Sequence, residues 1–239
     1  MSEPVSDLSS TLLPVEKALN GHEILNNFYG VLDLRKPRRD AMHELISTML
    51  SHRTTHANEE KAYYRMRELY PTWPEVIAAN TEALTETLVT SQYPGAKAVN
   101  IQKALKLIQE YSPDFSLNFL YELSVDEAMH WLMALPGVGL KTATLVLLFN
   151  FHKPVLPVDT HVFRVTQRIG IIGAKVTAEK AHDILLNMLP KDAPVLFNFH
   201  KHFYWHGQRI CTWKAPKCPE CPLKQICNYY QEVRAKGWG

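Results

Sequence analysis

Residues 124–159, SVDEAMHWLMALPGVGLKTATLVLLFNFHKPVLPVD, decide how the rest of the chain is read. Ser124 with Glu127 three positions on forms a capping box, and Met129, Leu132 and Leu135 recur at helical spacing, so a helix is predicted to begin here. Pro136-Gly137 ends it, Val138-Gly139 completes a tight turn, and the almost wholly apolar residues 141–150 predict a second, buried helix. Two glycines flanking one apolar residue at a helix mouth let backbone N–H groups approach an anion, and the helix dipole favours negative charge there. Gly137, Val138 and Gly139 are accordingly expected to meet a phosphate. A plain helix-turn-helix corner with a glycine cap fits the same residues.

Lys141 stands in the first turn of that second helix, where the dipole disfavours an ammonium and suits a nucleophilic amine. Asp159 follows 18 positions later, at the expected start of a helix ending at Gly170, where an N-cap is its ordinary role.

The motif LPGVGxKTA at 135–143, followed by VDTHVFRV at 158–165, resembles the helix-hairpin-helix DNA glycosylases, specifically the endonuclease III group. The resemblance implies that Lys141 is the nucleophile and Asp159 its essential partner. It also implies damaged double-stranded DNA as substrate.

Composition is that of a globular protein: 239 residues, 46% hydrophobic and 21% charged. No apolar run is long enough to span a membrane, and the acidic N-terminus (Glu3, Asp7) resembles neither a signal nor a transit peptide, so an intracellular, cytoplasmic and nucleoid-associated monomer is expected. Net charge is only +2 but uneven: residues 201–239 carry seven Lys and Arg against Glu220 and Glu232, which makes the C-terminal end the basic one.

Residues 1 to about 20 lack periodicity and are expected to form a mobile arm or strap. Met42, Leu45, Ile46, Met49 and Leu50 then mark a core helix, followed by the polar cluster Ser51-His52-Arg53-Thr54-Thr55-His56. The resembled family usually has Ser-Ala-Gln-x-Thr-Asp here, its glutamine filling the space left by an extruded base. Arg53 takes the glutamine's place and His56 the aspartate's. Arg53, with five donors in a planar fork, suits the widowed base or a phosphate; pairing with Glu59 or Glu60 is the ordinary alternative. A second polar break, Ser91-Gln92-Tyr93-Pro94-Gly95, matches the family's DNA-probing loop, with Gln92 at the wedge position and Tyr93 next to it. Residues 197–207, rich in His and aromatics, are read as interdomain packing rather than as a metal site.

All four cysteines lie at Cys211, Cys218, Cys221 and Cys227, and clustered cysteines in an intracellular chain argue for a metal over disulfides. Four thiolates suit zinc or an iron–sulfur cluster equally. The resemblance separates them: this spacing after His206-Gly207 is that of the endonuclease III 4Fe-4S loop. Lys214 and Lys217, in the loop between the first two ligands, would then face phosphates.

The expected fold is all-α with two helical lobes and the DNA cleft between them. Residues 1–33 form an arm and part of the cluster lobe, 34–153 a helical barrel with the helix-hairpin-helix, and 154–239 the cluster lobe. The expected function is base-excision repair by a bifunctional glycosylase with abasic-site lyase activity on oxidised pyrimidines. A variant specialised for abasic sites or another lesion, and a non-catalytic DNA-binding or redox-sensing module, are the alternatives.

Overall fold

The computed structural model describes residues 11–35 and 39–236. They contain twelve α-helices and no strand, as the periodicities predict. The chain divides into two compact units, one of residues 11–35 with 152–236, the other of residues 39–151.

In the second unit, α2 (Ala41–Ser51) buries the predicted stripe and packs against α3 (His56–Leu69), α6 (Pro94–Tyr111) and α8 (Leu140–Phe151). The short helices α4 (Trp73–Ala78) and α5 (Thr81–Thr87) lie against α6. Proline at its first position lets α6 start three residues earlier than the apolar spacing suggests. Helix α7 (Val125–Met133) opens on the capping box read from sequence: Ser124 Oγ accepts from the Glu127 amide at 3.2 Å, and Glu127 Oε2 accepts from the Ser124 amide at 2.8 Å. After the hairpin, α8 is buried on nearly every face, which is why its sequence shows no polar side.

Within this unit a buried lysine joins two loops. Lys97 Nζ donates to the carbonyls of Leu50 (2.6 Å) and His52 (2.8 Å) and to Ser91 Oγ (2.6 Å), while the Ser91 hydroxyl donates to Leu50 O at 2.9 Å. The end of α2 and the loop before α6 are thereby clasped at their bases. Thr90 adds a bond to Asn58 O at 3.0 Å. Burial pushes the Lys97 ammonium down to about 8; above that pH the amine has two N–H donors for three acceptors.

In the first unit, α1 (Pro14–Tyr29) is a regular helix, so residues 14–20 of the expected mobile strap are ordered; residues 1–10 lie outside those described. The sequence conceals α1 because its apolar face is thin, and tertiary contacts supply the rest: Lys17 is buried, its Nζ bonding Ile169 O at 3.3 Å and Asn228 Oδ1 at 2.5 Å. Helices α9 (Thr160–Ile169), α10 (Ala178–Met188), α11 (Ala193–Arg209) and α12 (Asn228–Ala235) complete the unit, with α11 packed against α1 and α9. Those partners belong to its own unit. Gly207 is what allows the approach to α9, since a Cβ there would stand 2.7 Å from His161 Cβ.

Lys97→Met leaves two carbonyls and a hydroxyl without their donor, and is expected to cost about 2 kcal/mol in urea unfolding and to speed proteolysis at residues 51–54 and 90–93. His202, buried and stacked on Tyr29 with centroids 5.6 Å apart, is held down at about 4, and His182 is also lowered, both chiefly by desolvation. Between that value and the unfolded 6.5, the unfolded chain binds more protons, so stability falls as pH drops from 6.5 towards 4. Denaturant midpoints followed by circular dichroism at pH 7.5, 6 and 5 measure the loss.

Candidate DNA-facing site and cysteine segment

The hairpin between α7 and α8 is built by two glycines with different jobs. Gly137 has φ +84°, and a Cβ there would meet Asn100 at 3.0 Å and the Met49 side chain at 3.2 Å, so it is needed for both conformation and closeness. Gly139 has ordinary backbone, and nothing lies within 4 Å of where its Cβ would be; it leaves an open approach to the helix mouth. The Val138 side chain is buried and its amide donates to Leu135 O at 3.1 Å, which closes the turn between the two glycines.

Lys141 is half-buried in the first turn of α8. Its immediate setting includes a residue the sequence reading passed over. His52 Nε2 lies 3.4 Å from Thr142 Oγ1, and desolvation, then the charges of Lys141 and Lys97, hold the imidazole below its ordinary pKa and therefore neutral at pH 7. Its place in the polar cluster after α2, beside Arg53, was the available signal.

Beyond His52 the clasped loops carry Arg53 and Tyr93 at their tips. Arg53 Nη1 donates to Tyr93 Oη at 3.3 Å, and the guanidinium carbon stands 5.8 Å from the ring centroid. Both residues are exposed and both adopt left-handed backbone, φ 58° and 57°, a conformation that non-glycine residues hold only under constraint. Gln92 is exposed beside them. The structure thus sets Tyr93 against Arg53. The acids suggested as alternative partners are taken: Glu59 bonds Arg39 at 2.9 Å and His56 at 3.0 Å, and Glu60 bonds Arg39 at 3.3 Å.

Asp159 belongs to the other unit. It caps α9, its Oδ1 accepting from the amides of His161 (2.9 Å) and Val162 (2.8 Å). The same helix holds the cysteine segment through two arginines not singled out in the sequence. Arg164 Nη2 and Nε donate to Gly207 O (2.7 Å) and Cys211 O (3.0 Å); Arg168 donates to Thr212 O (2.7 Å) and Trp213 O (2.9 Å). The loop carrying exposed Lys214 and Lys217 is therefore fixed by α9, with Trp213 standing 70% exposed at its tip.

The four cysteines form no disulfide. They lie within one another's electrostatic reach: burial, then neighbouring sulfurs, push Cys218 up, Cys221 to about 12 and Cys227 to about 11. Arg168 Nη1 donates to Cys211 Sγ at 3.4 Å, and His206 Nε2 lies 3.3 Å from Cys221 Sγ. Buried cysteines whose thiolates would repel one another, with an arginine N–H aimed at one of them, fit a cationic group that would hold them as thiolates. Among the described residues, no three His, Cys, Asp or Glu side chains are gathered so as to hold a metal ion.

Residues 46–191 match the family described as HhH-GPD superfamily base excision DNA repair protein. Endonuclease III of Thermotoga maritima is 36% identical over 83% of this chain and 87% of its own length. Endonuclease III of Escherichia coli is 30% identical over 79% of this chain and 84% of its own. The fold matches a solved trapped endonuclease III–DNA covalent intermediate with a TM-score of 0.79 and 27% identity, covering 93% of this chain and all of that one. The chain belongs to the HhH-GPD superfamily of base excision DNA repair proteins, in its endonuclease III group.

Proposed function

We propose that this protein is a bifunctional DNA glycosylase and abasic-site lyase that acts on oxidised pyrimidines in double-stranded DNA, with Lys141 as nucleophile. The observation that carries the reading is the placement of Lys141: one amine in the first turn of α8, directly after an open glycine hairpin and next to a neutral imidazole. The family membership supplies the reaction class.

The damaged nucleotide leaves the helix, because its C1′ is shielded inside the duplex. The free amine of Lys141 then forms a bond to C1′ as the base departs with the glycosidic electron pair. Ring opening gives a Schiff base between Nζ and the sugar, and loss of a proton from C2′ expels the 3′-phosphate oxygen, which breaks the strand. Asp159 takes up the lysine proton and stabilises positive charge developing on the sugar. The Gly137–Gly139 hairpin offers its open side to a backbone phosphate, with Lys214 and Lys217 at further phosphates, contacts that position the duplex without reading it. His52, being neutral, adds no charge to compete with the lysine. Cys211, Cys218, Cys221 and Cys227 would hold a 4Fe-4S cluster, whose part is to fix the Lys214–Lys217 loop against α9.

Lys141→Ala is expected to bind an abasic duplex and yield no borohydride-trapped adduct; an adduct formed by this variant would remove the lysine from its role. Asp159→Asn keeps the cap of α9, since asparagine caps as well as aspartate, so folded protein with a rate lowered by at least about a hundredfold is expected. Normal turnover would reduce Asp159 to a cap. Cys221→Ala is expected to give colourless protein with less than one iron per chain and a lowered denaturation midpoint; full iron content would exclude the cluster assignment.

A further inference from the structure

We infer that Trp213, with Lys214 and Lys217, forms a stacking platform for unpaired bases, which gives the protein a binding site for single-stranded DNA. The inference rests on the proposed function only in taking the two lysines as phosphate contacts; no step at C1′ enters it.

Trp213 is more exposed than any other aromatic side chain among the described residues. Its surroundings are cationic: residues 208–219 carry Arg209, Lys214 and Lys217 and no acid, and all three cations are exposed. The backbone beneath the indole is fixed. Arg168 donates to the carbonyls of Thr212 and Trp213, Thr212 Oγ1 donates to Ala215 O at 2.7 Å, and the Lys217 amide donates to Ile210 O at 2.9 Å, which closes the loop at its base. Arg164, itself buried, holds its guanidinium carbon 5.7 Å from the indole centroid, so the ring is backed by a cation on its inner side and open to solvent on its outer side.

A braced aromatic ring among cations is the arrangement that binds single strands: the cations follow the phosphates and the ring stacks on a base. Because the loop is already ordered, the indole loses little freedom when it stacks. In a paired duplex each base is covered on both faces by its neighbours, so the indole gains a partner only where a base is unpaired, and the lysines alone meet the duplex. Every base has a π-face, so the stacking carries no sequence preference. The lysine contacts weaken as salt rises, through the counterions they displace, whereas an apolar stack does not. The ligand is therefore single-stranded DNA of any sequence, alone or as the unpaired stretch of a gapped duplex.

The test measures equilibrium binding of the full-length protein, by fluorescence anisotropy, to a labelled oligothymidine and to an undamaged, fully paired duplex, with no lesion present for Lys141 to act on. Trp213→Ala is expected to bind the oligothymidine about tenfold more weakly than wild type and the duplex within about twofold of it, and the tenfold ratio should persist as salt is raised. Trp213→Phe, which keeps a ring, should recover most of the loss; Trp213→Leu, which keeps apolar bulk without a ring, should not. Replacing Lys214 and Lys217 together by alanine should weaken both ligands and flatten the salt dependence. A wild type that does not bind the single strand, or tryptophan variants that weaken neither ligand or both alike, overturns the inference. Iron content and the denaturation midpoint are measured on each variant, and the Phe and Leu pair carries the comparison by itself if the alanine variant is unstable. Borohydride trapping of wild type on an abasic duplex, run in parallel, reports the Lys141 reaction alone, so a failure of that chemistry shows up separately from a failure of single-strand binding.

Discussion

A single buried ammonium organises the proposed DNA-facing side of the second unit. Lys97 is satisfied by two carbonyls and one hydroxyl at the bases of two loops. That arrangement is costly to make, as the fall of its pKa to about 8 shows, and its three acceptors are costly to abandon. The consequence lies at the other end of the loops, where Arg53 and Tyr93 hold left-handed backbone that unbraced chain would leave. Local strain at the tips is balanced by hydrogen bonds at the base.

The first unit uses a comparable economy in α9. One helix presents Asp159 at its N-terminus and, one to two turns later, the two arginines that grip the carbonyls of residues 207 and 211–213. An aspartate proposed for catalysis and a basic loop proposed for phosphate contact are thus carried by one rigid rod. The cysteine segment has little core of its own, and its buried thiols repel one another when charged. The 4Fe-4S cluster proposed for these cysteines would meet both deficits.

Much of this was legible in the chain. The capping box at Ser124, the apolar run of α8, the stripe of α2 and the spacing of the cysteines are all patterns among residues a few positions apart, and the helices that the first three predict are present. Lys97 was legible in principle, since it shares the face of α6 with Ile101, Leu105 and Ile108, and a lysine on an apolar face must find buried acceptors. The first helix was not, because Lys17 and Gly21 on its buried face read as polar or flexible until their partners are known.

The sequence by itself determined helices α2, α7, α8 and α9, the caps of α7 and α9, the hairpin, the lysine at its mouth and the spacing of the cysteines, because these depend on periodicity and side-chain chemistry within a turn or two. Only the tertiary structure decided that Arg53 meets Tyr93 across 40 positions, that Glu59 goes to Arg39 and His56, and that Arg168 holds a loop 44 residues on. Such pairings follow from which helix faces pack together, and packing is a property of the whole core that no local pattern encodes.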